Sequence, residues 1–230
     1  MGAGQAVPIG QAQAHYLFGV MRLKTGDPLL VFNGVDGEWL AEVATLGKRK
    51  GLLALVKQTG PQVSPPDLWL IFAPIKKART AFIVEKAAEM GAMQILPTLT
   101  QYTNSDRLNL ARLEAHAIEA AEQCGGTFVP EVQDPVKLMS LLDNWPKDRQ
   151  LMFCDERRDA LSVADALKGR QAGKWAIIIG PEGGFSPDEA SALNALEQTI
   201  AVNLGPRILR ADTAVIAAMT AWQQALGDWR

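Results

Sequence analysis

Trp175-Ala176-Ile177-Ile178-Ile179-Gly180-Pro181-Glu182-Gly183-Gly184-Phe185 is followed by a second stretch built the same way. That stretch is Thr199-Ile200-Ala201-Val202-Asn203-Leu204-Gly205-Pro206-Arg207-Ile208-Leu209-Arg210-Ala211-Asp212-Thr213-Ala214. In each, a short apolar run reads as a buried strand, Trp175 to Ile179 and Thr199 to Leu204, and ends in a glycine-proline loop. Each loop leads into a helix. Ser186-Pro187-Asp188-Glu189 has a serine N-cap, a proline at the first helical position and a glutamate at the third. Asp212 is placed to cap the second helix, which runs on through Ala218 and Trp222. Glycine at the carboxyl end of a strand lets backbone come close to a ligand, and open α/β sheets bind ligands along that edge. The pair therefore predicts a site for a small cofactor.

Working outward, the rest of Leu68–Arg230 repeats this rhythm. Strands are predicted over Leu68–Ile75, Met93–Thr98, Thr127–Val132 and Gln150–Cys154. Helices are predicted over Lys77–Met90, Leu108–Cys124, Val136–Trp145 and Leu161–Leu167, with Gly91 and Gly125-Gly126 as stops. Strands alternating with helices imply an α/β domain with a parallel sheet covered on both faces.

The amino-terminal part reads differently. Met1 to Ala14 carries little pattern and is expected to be poorly ordered. From His15 to Gln58 the signals are short strands and turns: Pro28–Phe32, the dipeptides Asn33-Gly34 and Asp36-Gly37, Trp39–Ala44, and Leu52–Lys57. Residues 1–60 thus form a small β-rich unit, expected to close as a barrel or pack on its neighbour. Gly60-Pro61 to Pro65-Pro66 reads as a linker (61–66), with the α/β domain over 67–230.

Composition narrows the chemistry. The chain has 230 residues and is 48% hydrophobic, enough for a sizeable core, and no apolar run is long enough to span a bilayer. Two cysteines, Cys124 and Cys154, suit a reducing compartment and have no metal-ligand spacing. With His15 and His116 the only histidines, a His-rich metal site is excluded, and a cytoplasmic location is the default. The net charge of −2 gives no bulk support for nucleic-acid binding. Basic residues do cluster near predicted turns: Arg22 with Lys24, Lys48-Arg49-Lys50, Lys76-Lys77 with Arg79, and Arg207 with Arg210.

No P-loop, no G-x-G-x-x-G and no G-x-S-x-G elbow is present. What remains fits a cofactor held mainly by backbone. The glycine loops offer free N–H and C=O groups, while Leu204, Ile208 and Leu209 offer an apolar slot, the combination an adenine ring wants.

Ile179 to Phe185 and Leu204 to Ala214 closely resemble the two signature loops of the RsmE-type 16S ribosomal RNA (uracil-N3) methyltransferases of the SPOUT superfamily. His15-Tyr16-Leu17 with Val20-Met21-Arg22 and Gly26-Asp27 resembles the amino-terminal signature of that family. Glu85 to Gly91 and Glu119 to Cys124 resemble its internal motifs. The resemblance implies a SPOUT parallel sheet with a deep trefoil knot behind a PUA-like RNA-binding barrel. It also implies S-adenosylmethionine (AdoMet) as methyl donor, a homodimer, no metal, and a uridine near the decoding site of the small ribosomal subunit as substrate.

On that resemblance the cofactor contacts are Ile179, Gly180, Pro181, Glu182, Gly183, Gly184, Leu204, Gly205, Ile208, Leu209, Thr213 and Ala214. Arg210 is the first candidate to stabilise charge on the uracil carbonyls, unless it pairs with Glu182 or Asp212 to lock the loop. Glu182 is a candidate base, cofactor ligand or brace. His15, Arg22, Lys24, Lys76, Lys77, Arg79 and Arg207 are candidate RNA contacts. The alternatives are a SPOUT ribose 2′-O-methyltransferase, or a PUA-type RNA-binding protein without turnover. The chain departs from the family pattern in three places: Met1 to Gln13 lacks the usual opening Arg and aromatic residues, Gly126 stands where Arg is common, and Asp212 replaces Glu.

Overall fold

The computed structural model describes residues 1–47, 49–104, 107–155 and 160–230. Lys48 of the basic turn lies outside the described residues. The chain divides into two compact units, Met1–Ser64 and Pro65–Arg230.

In the second unit, strands β5 (Leu68–Phe72), β6 (Gln94–Leu99), β7 (Glu131–Val132), β8 (Val136–Lys137), β9 (Gln150–Cys154), β10 (Leu161–Ser162), β11 (Trp175–Ile179) and β12 (Thr199–Asn203) form one sheet. Its order is β10-β12-β9-β11-β5-β6-β7, with β8 also on β6, and every pairing is parallel. Because side chains alternate across a strand, each strand feeds two cores. Trp175, Ile177 and Ile179 enter the core built with α2 (Lys77–Glu89), α3 (Leu110–Cys124), α5 (Val163–Leu167) and α7 (Ala211–Leu226). Ala176 and Ile178 enter the opposite one, built with α4 (Leu138–Asp143) and α6 (Pro187–Ala195). β5 divides in the same way, Leu68, Leu70 and Phe72 against Ile71.

The sheet's amino edge is tied shut. Buried Arg149 donates to the carbonyls of Asp67 (3.2 Å) and Trp175 (2.9 Å) and to Asp67 Oδ1 (2.9 Å), with its guanidinium 3.6 Å from the Trp69 ring centre. The carboxyl edge carries the glycine loops. No helix among the described residues is long and apolar enough to cross a membrane.

Several expected elements are shorter. β5 stops at Phe72 and β7 covers only Glu131–Val132. The segment expected as helix from Val136 opens as β8, and the one expected from Leu161 opens as β10. The second helix begins only after Ser162, whose hydroxyl accepts from Asp165 N.

The first unit is a four-stranded antiparallel sheet in the order β1-β4-β3-β2: β1 (Ala6–Ile9), β2 (Pro28–Phe32), β3 (Glu38–Thr45) and β4 (Gly51–Gly60). Two expectations are corrected here. Met1–Ala14 contains a strand, because Ile9 is buried and Pro8 sits on an edge, where a missing N–H costs no ladder bond. Gly4 N and Leu55 N extend the pairing, donating to Leu55 O and Gln5 O. Moreover, α1 (Gln11–Ala14) runs into a π-helical turn over His15–Val20 where strands and turns were expected. Buried Ala14 anchors that turn beside Trp39, Val43 and Leu53.

Candidate cofactor cleft

β9 lies between β11 and β12, so the loops following both strands meet over its carboxyl end. There they enclose a cleft of about 690 Å³, mouth included. Ten expected contacts line it: Ile179, Gly180, Pro181, Glu182, Gly184, Leu204, Gly205, Ile208, Leu209 and Ala214. Gly183 and Thr213 are not among the lining residues; Thr213 is exposed and donates from N to Asp212 Oδ1 at 2.9 Å.

The first loop is set by packing. The ring of Phe185 covers Gly180, where an added Cβ would stand 2.8 Å from Cε2. The same ring meets Phe153 of β9 edge to face, with centroids 5.3 Å apart. α6 then starts with a reciprocal capping box: Ser186 Oγ accepts from Glu189 N, and Glu189 Oε2 accepts from Ser186 N.

The second loop turns at Gly205, whose φ of +108° side chains rarely adopt. Ile208 is 73% exposed at the mouth. α7 begins at Ala211 with Arg210 as its N-cap and no side-chain cap, so Asp212 sits inside the first turn instead of capping it. Its carboxylate takes Arg79 at 3.0 Å. Among the described residues Arg210 makes no ion pair with Glu182 or Asp212, the lock expected for the loop; Asp212 pairs with Arg79 of α2 instead. Arg210 is exposed and does not line the cleft, whereas Arg207 does.

Cys154, Asp155, Phe185, Asn203 and Ala211 also line the cleft and were not singled out from the sequence. Phe185, Asn203 and Ala211 lie within the two glycine-loop stretches themselves, whereas Cys154 and Asp155 enter through the place of β9 between the two strands, and strand order is not written in local pattern. Burial pushes the Cys154 thiol well above its usual range, so it is an inert wall group. Among the other expected residues, Lys76 and Lys77 are exposed at the start of α2. His15, Arg22 and Lys24 are exposed in the first unit, Arg22 with a φ of +60°. Among the described residues no group of three His, Cys, Asp or Glu side chains could hold a metal ion.

The residues present suit AdoMet. Leu204, Ile208 and Leu209 supply apolar faces for an adenine, and the glycine loops supply backbone partners for its edge. Glu182 and Asp155 bring carboxylates to the lining, which would suit a donor that carries a sulphonium and an ammonium. The start of α7, which has no side-chain cap, suits a carboxylate.

A parallel sheet with a backbone-lined cofactor cleft on its carboxyl edge, joined to an antiparallel β unit, defines a two-part α/β protein of the cofactor-binding class. Residues 62–223 match the family model of an RNA methyltransferase domain, and residues 9–56 that of an RNA methyltransferase PUA domain. The chain is 33% identical to ribosomal RNA small subunit methyltransferase E of Rickettsia conorii over 210 residues, 89% of this chain and 84% of the relative. The S-adenosyl methionine-bound methyltransferase E of Neisseria gonorrhoeae superposes with a TM-score of 0.88 at 28% identity, covering 100% of this chain and 96% of that one. A putative methyltransferase from Legionella pneumophila, solved with SAM, gives 0.89 at 27%, covering 99% and 95%. The chain belongs to the ribosomal RNA small subunit methyltransferase E family.

Proposed function

We propose that this protein transfers a methyl group from AdoMet to N3 of a uridine in 16S ribosomal RNA, near the decoding site of the small subunit. On this reading it acts in the cytoplasm as a homodimer. The observation that carries the proposal is the convergence of both glycine loops on one cleft that also contains an arginine. Relatives over nearly the whole chain bear ribosomal RNA methyltransferase names, and two similar structures were solved with SAM.

AdoMet supplies a methyl already activated by its sulphonium, so most of the rate comes from positioning the acceptor nitrogen. Methylation at N3 removes the N–H proton and spreads negative charge onto the flanking carbonyl oxygens. Among the described residues Arg207 is the cation that lines the cleft, and its guanidinium takes the stabilising role. Arg210, exposed three residues on, meets RNA phosphate together with Lys76 and Lys77. Glu182, exposed and in no ion pair among the described residues, accepts the N3 proton. Arg79 contributes by steadying α7 through Asp212. The chain crossing is read as a trefoil knot: β12 lies outside β9, while α7, which follows it, packs against β11, α2 and α5.

Calorimetry with AdoMet tests the cofactor, and no heat at millimolar ligand would remove it from the proposal. Transfer to small subunits lacking the modification, with the product mapped, tests the rest. The expected product carries methyl on uracil N3; methyl on a ribose hydroxyl would select the 2′-O alternative.

A further inference from the structure

Gly183, at the tip of the first loop, faces away from the cleft. A Cβ there would stand 3.3 Å from Tyr102 Cβ and 3.7 Å from its Cγ, so Tyr102 rests on the outer side of the loop. Tyr102 belongs to a braced turn after β6. Thr103 N donates to Thr100 O at 3.1 Å, and Thr100 N donates to Thr103 Oγ1 at 2.9 Å. Gln101 N donates to Glu189 Oε1 at 2.7 Å, while Oε2 of the same carboxylate accepts from Ser186 N at 2.9 Å. Glu189 is only 7% exposed, so one buried carboxylate fixes both this turn and the helix start that follows the cofactor loop. Yet the tyrosine held by this bracing is 41% exposed.

Exposed cations share its edge of the sheet. β5 lies between β11 and β6, and its carboxyl end leads to exposed Lys76 and Lys77. With adjacent strands about 4.8 Å apart, the end of β6 lies roughly 10 Å along the edge from that of β11. Tyr102 thus stands beside the cleft without lining it, on the outer side of its first loop, where a nucleotide next to the target would pass. Single-stranded RNA is held by stacking splayed bases on aromatic rings while cations follow its phosphates, and enzymes acting on one base read its neighbours this way.

We propose that Tyr102 is a positioning residue on which a base flanking the target nucleotide stacks. The inference rests on the methyltransferase reading of the adjoining cleft and adds to it a contact outside that cleft.

The test compares wild type with Tyr102→Ala, Tyr102→Phe and Tyr102→Trp, measuring methyl transfer to unmodified small subunits and AdoMet binding by calorimetry. Loss of one base–aromatic stack predicts a fall in kcat/KM for Tyr102→Ala of about 5- to 150-fold, carried by KM for the subunit. AdoMet affinity should stay within about twofold of wild type, and the aromatic variants should keep activity. Unchanged kcat/KM in Tyr102→Ala would overturn the proposal. So would a parallel loss of AdoMet affinity, which would make Tyr102 a brace of the loop, or a fall in Tyr102→Phe as deep as in Tyr102→Ala. A wild-type protein that binds AdoMet but methylates no subunit would instead bring down the functional reading and this inference with it.

Discussion

The two glycine loops follow strands that both pair with β9, yet one is closed and the other open. In the first, Pro181 and Gly184 are buried, Phe185 lies over Gly180 and against Phe153, and α6 begins with both halves of a capping box in place. In the second, Pro206, Arg207 and Ile208 face solvent, and α7 begins without a side-chain cap. A steadying contact reaches the second loop's helix from α2, the Arg79–Asp212 pair. With side chains 34% and 17% exposed, that single pair still reaches solvent and adds only modestly to stability. The comparison divides the work of the cleft between a fixed wall that sets its shape and a looser wall that carries the cation Arg207 and the apolar lip.

The sharpest way to break this division is at Arg207 on the loose wall. Removing a preorganised donor to developing negative charge costs about 10²- to 10³-fold in kcat. Arg207→Ala should show that loss in methyl transfer while calorimetric AdoMet affinity changes far less. Arg210→Ala should raise KM for the subunit and leave kcat nearly intact. The opposite pattern would return the charge-stabilising role to Arg210.

On the fixed wall the largest effect belongs to Gly180. An alanine Cβ would meet the Phe185 ring at 2.8 Å, and that ring is already pinned on Phe153. Forcing a methyl into such a contact costs about 1–3 kcal/mol, and the displaced ring intrudes on the cleft. Gly180→Ala should therefore weaken AdoMet by roughly tenfold or more, read by calorimetry. A smaller ring-site residue, in Gly180→Ala/Phe185→Leu, should recover part of that loss. Tight binding in the single variant would mean that the wall is not fixed.

How much of this was written in the sequence follows from what each signal depends on. Local signals held where packing and local chemistry agree. The strands Gln150–Cys154 and Trp175–Ile179 and the Ser186–Glu189 capping box are set by short apolar runs and by capping, signals read from neighbouring residues alone. Asp212 misled because a carboxylate near a helix start is an N-cap only if nothing better stands opposite. Arg79, 133 residues earlier in the chain, takes it instead. Cys154 and Asp155 could not be found because their place in the cleft depends on the order of three parallel strands. β1 was hidden because a short edge strand needs just one buried side chain, Ile9, to hold it. Loop identity was legible and loop partners were not.

The smallest effects sharpen the comparison most, because they should cross. Ser186→Ala removes an N-cap from the fixed wall, which costs about 1 kcal/mol of stability. For a chain of this size that is roughly 2–4 °C in Tm. AdoMet affinity should hardly move, since the serine is buried behind the loop and does not line the cleft. Ile208→Ala should do the reverse. Its side chain is 73% exposed, so truncation leaves stability within about 0.5 kcal/mol of wild type, and Tm hardly moves. If the loose wall folds its apolar lip onto the ligand far enough to cover just under half of the three lost carbons, each worth about 0.8 kcal/mol when fully buried, an affinity loss of roughly fivefold appears. A thermal scan and one calorimetric titration for each variant decide it. A drop in Tm for Ile208→Ala, or unchanged affinity, would show that the second loop is as finished before binding as the first.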